Sequence, residues 1–161
     1  MMDIGKPVGE GRKEEVKLDS AATHLLEECR MVLPGIQALF GFQLIAVFNE
    51  GFSKKLSPAE QELHLAAIVL VAVAVALVMA PAAIHRQTQQ REVSERFIWI
   101  SSRLLLASMF PLAVALCLDI YLISRVILER SAFSAAIAAI LLAVIFILWI
   151  LLPASERAKH R

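Results

Sequence analysis

The twenty residues 65–84, LAAIVLVAVAVALVMAPAAI, lie between His64 and His85 and contain no charged side chain. A helix of this length rises ~30 Å, which matches the hydrocarbon core of a bilayer. Alternating valine and alanine would also suit a strand. A strand in lipid leaves its backbone groups unpaired, however, unless it belongs to a closed barrel of ~10-residue strands. The stretch therefore predicts a transmembrane helix.

Three further apolar blocks of similar length accompany this one. The four predicted spans cover about residues 31–48, 65–84, 104–124 and 132–152. With 58% hydrophobic residues and a mean hydropathy of +0.68, the 161-residue chain has no room for a sizeable water-soluble domain. We expect an all-α fold, a polytopic membrane four-helix bundle with antiparallel helices.

The segments outside the spans are polar. Residues 1–19 predict a flexible charged arm, and residues 20–30 predict a short interfacial helix before the first span. Residues 49–57 predict a loop. Ser57, Pro58 and Glu60 then form a Ser-x-x-Glu capping box, which predicts the start of the second helix. The fourth helix should stop at Pro153, so that residues 153–161 form a cytoplasmic tail.

The basic residues indicate the orientation of the chain in the membrane. Twelve of the sixteen lysines and arginines precede the first span, separate the second from the third, or follow the fourth. Because positive residues are retained on the cytoplasmic side, the N and C termini are both expected in the cytoplasm.

One carboxylate, Asp119, interrupts the third span. It lies ~24 Å along the helix from Arg103, in the outer-leaflet half of the membrane, and Gln43 of the first span lies at a similar depth. We expect Asp119 to face the bundle and to be hydrogen-bonded by Gln43 or by water. An intramembrane carboxylate is a functional candidate by default, and a structural role and a transport or proton role both remain open.

Gln37, also in the first span, shares a helical face with Arg30, Pro34 and Gly41. Glycine allows two helices to approach closely, so we expect Gln37 to bridge helices at such a contact.

Four basic side chains fall at the predicted cytoplasmic boundary of three spans: Arg30, His85, Arg86 and Arg103. They could form a pocket for the phosphates of an anionic lipid, or they could be ordinary positive-inside anchors whose long side chains reach the interface.

No other pattern indicates chemistry. The sequence has no Gly-rich phosphate loop, no CxxC and no His-Glu cluster, and Cys29 and Cys117 are expected to be free thiols. We therefore expect no enzymatic activity, no cofactor and no metal site. A nucleic-acid partner is not expected either, because no folded basic module is present.

Three stretches carry a family resemblance: RMVLPGIQALFGFQL at residues 30–44, APAAIHR at 80–86 and SSR at 101–103. They resemble the small four-span bacterial membrane proteins called domain of unknown function 6328, over about residues 23–124. The resemblance implies a bacterial inner-membrane location and implies no activity. It assigns these residues to the family's typical motif positions: Arg30, Pro34, Gly35, Gln37, Phe40, Pro81, His85 and Arg86.

Two functional hypotheses follow. The first is a non-enzymatic accessory or scaffold subunit that associates with other membrane proteins or with its own copies. Small residues four apart favour it, since they allow close helix packing: Ala72, Ala76 and Ala80, and Ala135, Ala139 and Ala143. The alternative is a small oligomeric transporter or channel that uses Asp119 and Gln43 as polar pathway residues.

Overall fold

A computed structural model describes the backbone of residues 8–88 and 95–159, and the side chains of residues 17–87 and 95–155. Every element in these ranges is helical. The helices are α1 (Val8–Val47), α2 (Glu50–Lys55), α3 (Pro58–Thr88), α4 (Glu95–Leu128), α5 (Ser131–Phe146) and α6 (Leu152–Lys159), with a π-helical turn at Ile147–Leu151.

Four helical stretches are long and apolar enough to cross a membrane: Lys17–Val47, Pro58–Gln87, Glu95–Leu128 and Ser131–Ser155. Each contains one predicted span to within a residue. The prediction of an all-α chain with four membrane-capable helices is therefore confirmed.

The N-terminal helix is longer than the sequence pattern predicts. A separate interfacial helix at residues 20–30 is not observed, because α1 runs without a break from Val8 to Val47. Over residues 8–19 the predicted arm is helical as well, whereas residues 1–7 lie outside the described residues. Glu, Lys and Arg are good helix formers, so charged sequence can extend a helix that apolar packing has already formed.

The predicted loop at residues 49–57 contains the short helix α2. The Asn49 side chain caps it by accepting a hydrogen bond of 2.9 Å from the Gly51 backbone N–H. Lys54 pairs with Glu50 one turn earlier at 3.2 Å. The capping box at the start of α3 is present as predicted, since the Glu60 carboxylate accepts from the Ser57 N–H at 2.8 Å and the Glu60 N–H donates to Ser57 Oγ at 3.4 Å.

The fourth long helix does not stop at Pro153. Proline has no N–H to donate to the carbonyl four residues earlier, so one hydrogen bond of the regular α-helical pattern is missing at Pro153. The backbone N–H of Leu152 bonds to the carbonyl of Ile147, five residues back, and a π-helical turn precedes the proline. This wider turn lets the chain continue into α6.

Buried side chains follow a coiled-coil spacing in α1 and α3. The buried positions of α1 are seven residues apart: Ala22, Cys29, Ile36 and Gln43. Those of α3 are alternately four and three apart: Glu60, His64, Ala67, Val71, Ala74, Val78 and Pro81. Such a repeat keeps one helix face against its neighbour over many turns. α4 packs against α1, α3 and α5.

The direction of the helices fixes where polar side chains meet. Gln43, near the end of α1, contacts His64, near the start of α3. Cys29 lies fourteen residues before Gln43, and Val78 lies fourteen residues after His64; both belong to one buried apolar cluster. The two helices therefore run in opposite directions, and the C-terminal end of α1 adjoins the N-terminal end of α3.

Candidate functional site

Gln43 of α1, His64 of α3 and Asp119 of α4 form a buried polar layer at one end of this helical core. Gln43 Nε2 donates to Asp119 Oδ2 at 2.7 Å, so the predicted pair is in contact. The His64 ring reaches both partners: Nε2 is 2.9 Å from the Gln43 carbonyl oxygen, and Nδ1 is 3.9 Å from Asp119 Oδ1. The three residues are only 3%, 7% and 8% exposed, so water reaches them poorly.

The hydrogen bonds of this layer place one proton on His64. A backbone carbonyl can only accept, so His64 Nε2 must be the N–H that donates to Gln43. In the neutral ring Nδ1 is then an acceptor, and it faces a second acceptor, Asp119 Oδ1. Gln43 Oε1 is also buried and has no hydrogen-bond partner within the described part of the chain. A single proton on either His64 Nδ1 or Asp119 Oδ1 would supply both of those atoms, whereas Gln43 Oε1 is fully buried and has no donor among the described residues.

The polar layer forms the floor of a cavity of about 420 Å³, here called the Asp119 pocket. Its walls are mostly apolar and come from α1, α2 and α4; they include Leu39, Phe42, Phe52, Leu122, Ile123 and Val126. Phe42 and Ile123 are 71% and 55% exposed, so the opening adjoins the apolar outer surface of the helices. Lys55 and Asn49, both exposed, lie at the α2 side. A mostly apolar cavity with a few convergent polar groups is the usual form of a small-molecule site.

A second polar contact lies on the same side of the molecule. Arg125 Nε is 3.0 Å from Glu60 Oε1, which joins α4 to the capped start of α3. The same carboxylate accepts a hydrogen bond of 2.9 Å from the Ser57 hydroxyl. This ion pair therefore ties the helix ends that surround the Asp119 pocket.

Sequence reasoning missed His64 and Arg125. His64 directly precedes the uncharged stretch, a position that predicts a residue at the membrane interface. Its side chain is nevertheless buried between the helices. One signal could have identified it: His64 is four residues after the capping Glu60 and three before Ala67, the spacing of the buried α3 face. The partner of Arg125 is Glu60 on α3, so no spacing within α4 could reveal the pair.

Gln37 does not bridge two helices within the described part of this chain. Gln37 is exposed, and so is Gly35 beside it. A Cβ atom added at Gly41 would meet nothing within 4 Å among the described atoms, so the glycine does not mediate a close helix contact. Gln37 is six residues from the buried Gln43, about 240° around the helix, and so the two cannot share a face.

The four basic residues of the predicted lipid pocket do not meet at one level. Measured along the helix axes from the polar layer, Arg30 lies ~20 Å away, Arg103 ~24 Å and His85 ~31 Å, with Arg86 one residue beyond. All four are exposed. The Arg103 guanidinium lies 4.3 Å from the centre of the Trp99 ring, and His85 packs on Phe97 with ring centres 5.6 Å apart.

Within the described ranges, no three His, Cys, Asp or Glu side chains lie close enough together to bind a metal ion. Both cysteines are buried and free.

One protein family matches nearly the whole chain. Residues 11–153 match the model of a family of unknown function, DUF6328. The protein belongs to the DUF6328 family. This confirms the resemblance found in residues 23–124 and extends it through the fourth long helix. No curated protein and no solved structure matches the chain. The match includes every residue of the Asp119 pocket, so the pocket lies inside the DUF6328 domain.

Proposed function

We propose that this DUF6328 protein binds a small solute or cation in the Asp119 pocket and moves it, or protons, across the membrane. The observation that supports this proposal is the buried polar layer, in which the Asp119 carboxylate and the His64 ring lie opposite each other at the floor of an open cavity. No catalytic step is part of the proposal.

Energetic considerations favour this role over a purely structural one. An ionisable side chain within a transmembrane helix is costly, and such residues are usually paired or functional. A buried acceptor without a donor costs a further ~1–3 kcal/mol. A layer that served only to tie helices together would pair its polar atoms by hydrogen bonds, whereas here Asp119 Oδ1 and His64 Nδ1 are 3.9 Å apart and Gln43 Oε1 has no donor among the described residues. A proton or cation held between Asp119 and His64 would pair these two groups.

Proton flux into vesicles tests the proposal. Purified protein is reconstituted into phosphatidylethanolamine and phosphatidylglycerol vesicles that contain a pH-sensitive dye, and a potassium diffusion potential drives protons inward. We expect flux above that of protein-free vesicles and its loss in Asp119→Asn. Ser108→Ala is the matched control. Ser108 is buried on the same helix, and its hydroxyl donates to the backbone carbonyl of Leu105, one turn earlier in that helix. Equal flux in the wild type and Asp119→Asn would contradict the pathway.

A second candidate function is that of an accessory or scaffold subunit. Its support is α5, in which Ser134 is the one buried residue, so that Ala135, Ala139 and Ala143 all remain on its exposed side. On α3, Ala72 and Ala76 are exposed too. Lipid solvates apolar side chains as well as protein does, so it is the small size of these residues that favours helix association.

Native mass spectrometry of the protein, extracted mildly from its own membrane, tests the second candidate. Homo-oligomers or complexes with other membrane proteins are expected. Isolation as a lone monomer would contradict the scaffold hypothesis.

The proposed location is the bacterial inner membrane with both termini in the cytoplasm. Under this orientation Arg30, His85, Arg86 and Arg103 face the cytoplasmic headgroups at depths that differ by ~12 Å. Each is exposed and free to approach anionic lipid phosphates individually, which supports separate headgroup contacts better than one shared pocket. The Asp119 pocket then opens toward the outer leaflet.

A further inference from the structure

The Asp119 pocket places a carboxylate among aromatic and aliphatic walls. Asp119 and His64 line its floor, and their side chains are 11% and 9% exposed. Phe42 and Phe52 line its walls, and the Phe52 ring makes an edge-to-face contact with the His64 ring, with ring centroids 5.1 Å apart. A cation is attracted both by a carboxylate and by the face of an aromatic ring. The pocket therefore offers two attractions for positive charge within an apolar cavity.

The floor of the pocket is neutral when it holds one positive charge. Asp119 Oδ1 and His64 Nδ1 are 3.9 Å apart, and a proton on either atom leaves the pair without net charge. Once that proton is lost, the pair carries one negative charge, which is costly in a mostly apolar cavity. A monovalent cation beside Asp119 removes this cost as the proton does. The proton and the cation are therefore alternatives at one site.

We propose that the Asp119 pocket binds lipophilic monovalent cations in exchange for the proton shared by Asp119 and His64. The inference deepens the proposed function and rests on it, since it names the solute class and the exchanged ion of the same site. One proton leaves the pair for each cation that enters, so the charge of the floor does not change. The charged head of the cation lies beside Asp119 and within reach of the Phe52 ring, and its apolar body contacts the walls.

The other polar and charged groups at the pocket leave this balance intact. Gln43, which α1 contributes to the floor, is uncharged. Glu60 of α3 is paired with Arg125 of α4 at 3.0 Å, so the two add no net charge. Lys55 of α2 lines the pocket, but its side chain is exposed and water screens its charge. Lys55 therefore weakens the binding of a cation without preventing it.

The test compares two probes of the same shape, 4-fluorobenzyltrimethylammonium and 1-fluoro-4-neopentylbenzene, in which a carbon atom replaces the charged nitrogen. Full-length protein in nanodiscs of zwitterionic lipid is titrated with each probe and followed by ¹⁹F NMR, and empty nanodiscs give the partition into lipid. We expect saturable binding of the cation, at least ~tenfold tighter than that of the neutral probe.

Proton release identifies the exchange directly. In weakly buffered solution, a pH indicator should record about one proton released per cation bound, and none for the neutral probe. Between about pH 5 and about pH 9, the dissociation constant of the cation should fall about tenfold per pH unit until the pair has lost its proton, and should then stay constant.

Single substitutions assign these effects to particular side chains. Asp119→Asn should abolish proton release and weaken cation binding at least ~tenfold. Phe52→Leu should weaken cation binding about threefold and leave the neutral probe unaffected. Lys55→Ala should strengthen cation binding about twofold, again without effect on the neutral probe. Ser108→Ala should match the wild type in every measurement.

A cavity-filling variant keeps the test independent of Asp119. Ala46 is half-buried in the wall of the pocket, so Ala46→Phe should weaken the binding of both probes. Circular dichroism and gel filtration of this variant should remain those of the wild type. If Asp119→Asn fails to fold by these criteria, Ala46→Phe and the proton release of the wild type carry the test.

The outcomes separate the ligand class from the proposed function. Absence of saturable cation binding, cation binding without proton release, or equal binding of the two probes overturns the proposed exchange. Asp119-dependent proton flux would then still support transport through the pocket. Proton release on cation binding without any flux leaves the ligand class standing and overturns transport.

Discussion

The hydrogen bond between Gln43 and Asp119 should be measurable as a coupling free energy between two membrane-capable helices. The perturbation is a double-mutant cycle with Gln43→Leu and Asp119→Leu, made singly and together. Removing one partner leaves the other buried and unpaired, at ~1–3 kcal/mol, whereas removing both leaves apolar side chains in an apolar seam. The double variant should therefore lose less stability than the sum of the single losses.

The structure indicates the size of this coupling. Hydrogen bonds between transmembrane helices average ~0.6 kcal/mol in such cycles and reach ~1.7 kcal/mol. The Gln43–Asp119 bond is short, at 2.7 Å, and its side chains are 3% and 8% exposed. It should fall in the upper part of that range, at ~1–1.7 kcal/mol.

Reversible unfolding by SDS in mixed micelles, followed by far-ultraviolet circular dichroism, gives the four free energies of unfolding. A control cycle pairs Asp119→Leu with Ser101→Ala, because Ser101 is buried on the same helix but lies ~27 Å away along it. The control should be additive within ~0.5 kcal/mol. A coupling below ~0.3 kcal/mol for Gln43 and Asp119 would refute the view that this bond holds α1 to α4.

Three other predictions follow from particular contacts. Arg125→Ala should lower the free energy of unfolding by ~0.5–1 kcal/mol, since its ion pair is partly solvated; Glu60→Ala should cost ~1 kcal/mol more, because it also removes the capping box. SDS titration measures both, and equal losses would contradict the double role of Glu60. Pro153→Ala should convert the π-helical turn to regular α-helix and slow amide hydrogen exchange there about tenfold; unchanged exchange would show that proline does not cause the turn. In a background with both native cysteines replaced, a membrane-impermeant maleimide should label Ser53→Cys but not Ser155→Cys in intact cells; the reverse pattern would overturn the proposed orientation.

The sequence predicts most of what depends on distance along a helix. The hydrophobic runs give the four membrane-capable helices, the Ser57–Glu60 spacing gives the start of α3, and counting residues brings Gln43 and Asp119 to one depth. These features need only the rise per residue and the local capping chemistry, both of which a single segment contains.

Features that depend on rotation about a helix or on neighbouring helices are less accessible. Gln37 and Gln43 look alike in the sequence, and only the buried seven-residue repeat shows that Gln43 alone faces the core. His64 lies between polar residues and the uncharged stretch, and this position in the sequence predicts an interfacial residue. The Glu60–Arg125 pair requires the relative alignment of α3 and α4, which no local pattern encodes.

Replacing the whole polar layer distinguishes its two possible roles. Gln43 and His64 occupy core positions of their helices in which apolar side chains recur, and Asp119 is buried against them. In a Gln43→Leu, His64→Leu, Asp119→Leu triple variant, the buried seam becomes apolar throughout, and no unpaired acceptor remains. Because exchanging buried polar networks for apolar side chains is often neutral or stabilising by ~1–4 kcal/mol, the triple variant should unfold at the same or higher SDS concentration than the wild type. It should also lose proton flux. A triple variant that unfolds more easily than each of its three single variants would show that the layer exists to align the helices and not to move protons or solutes.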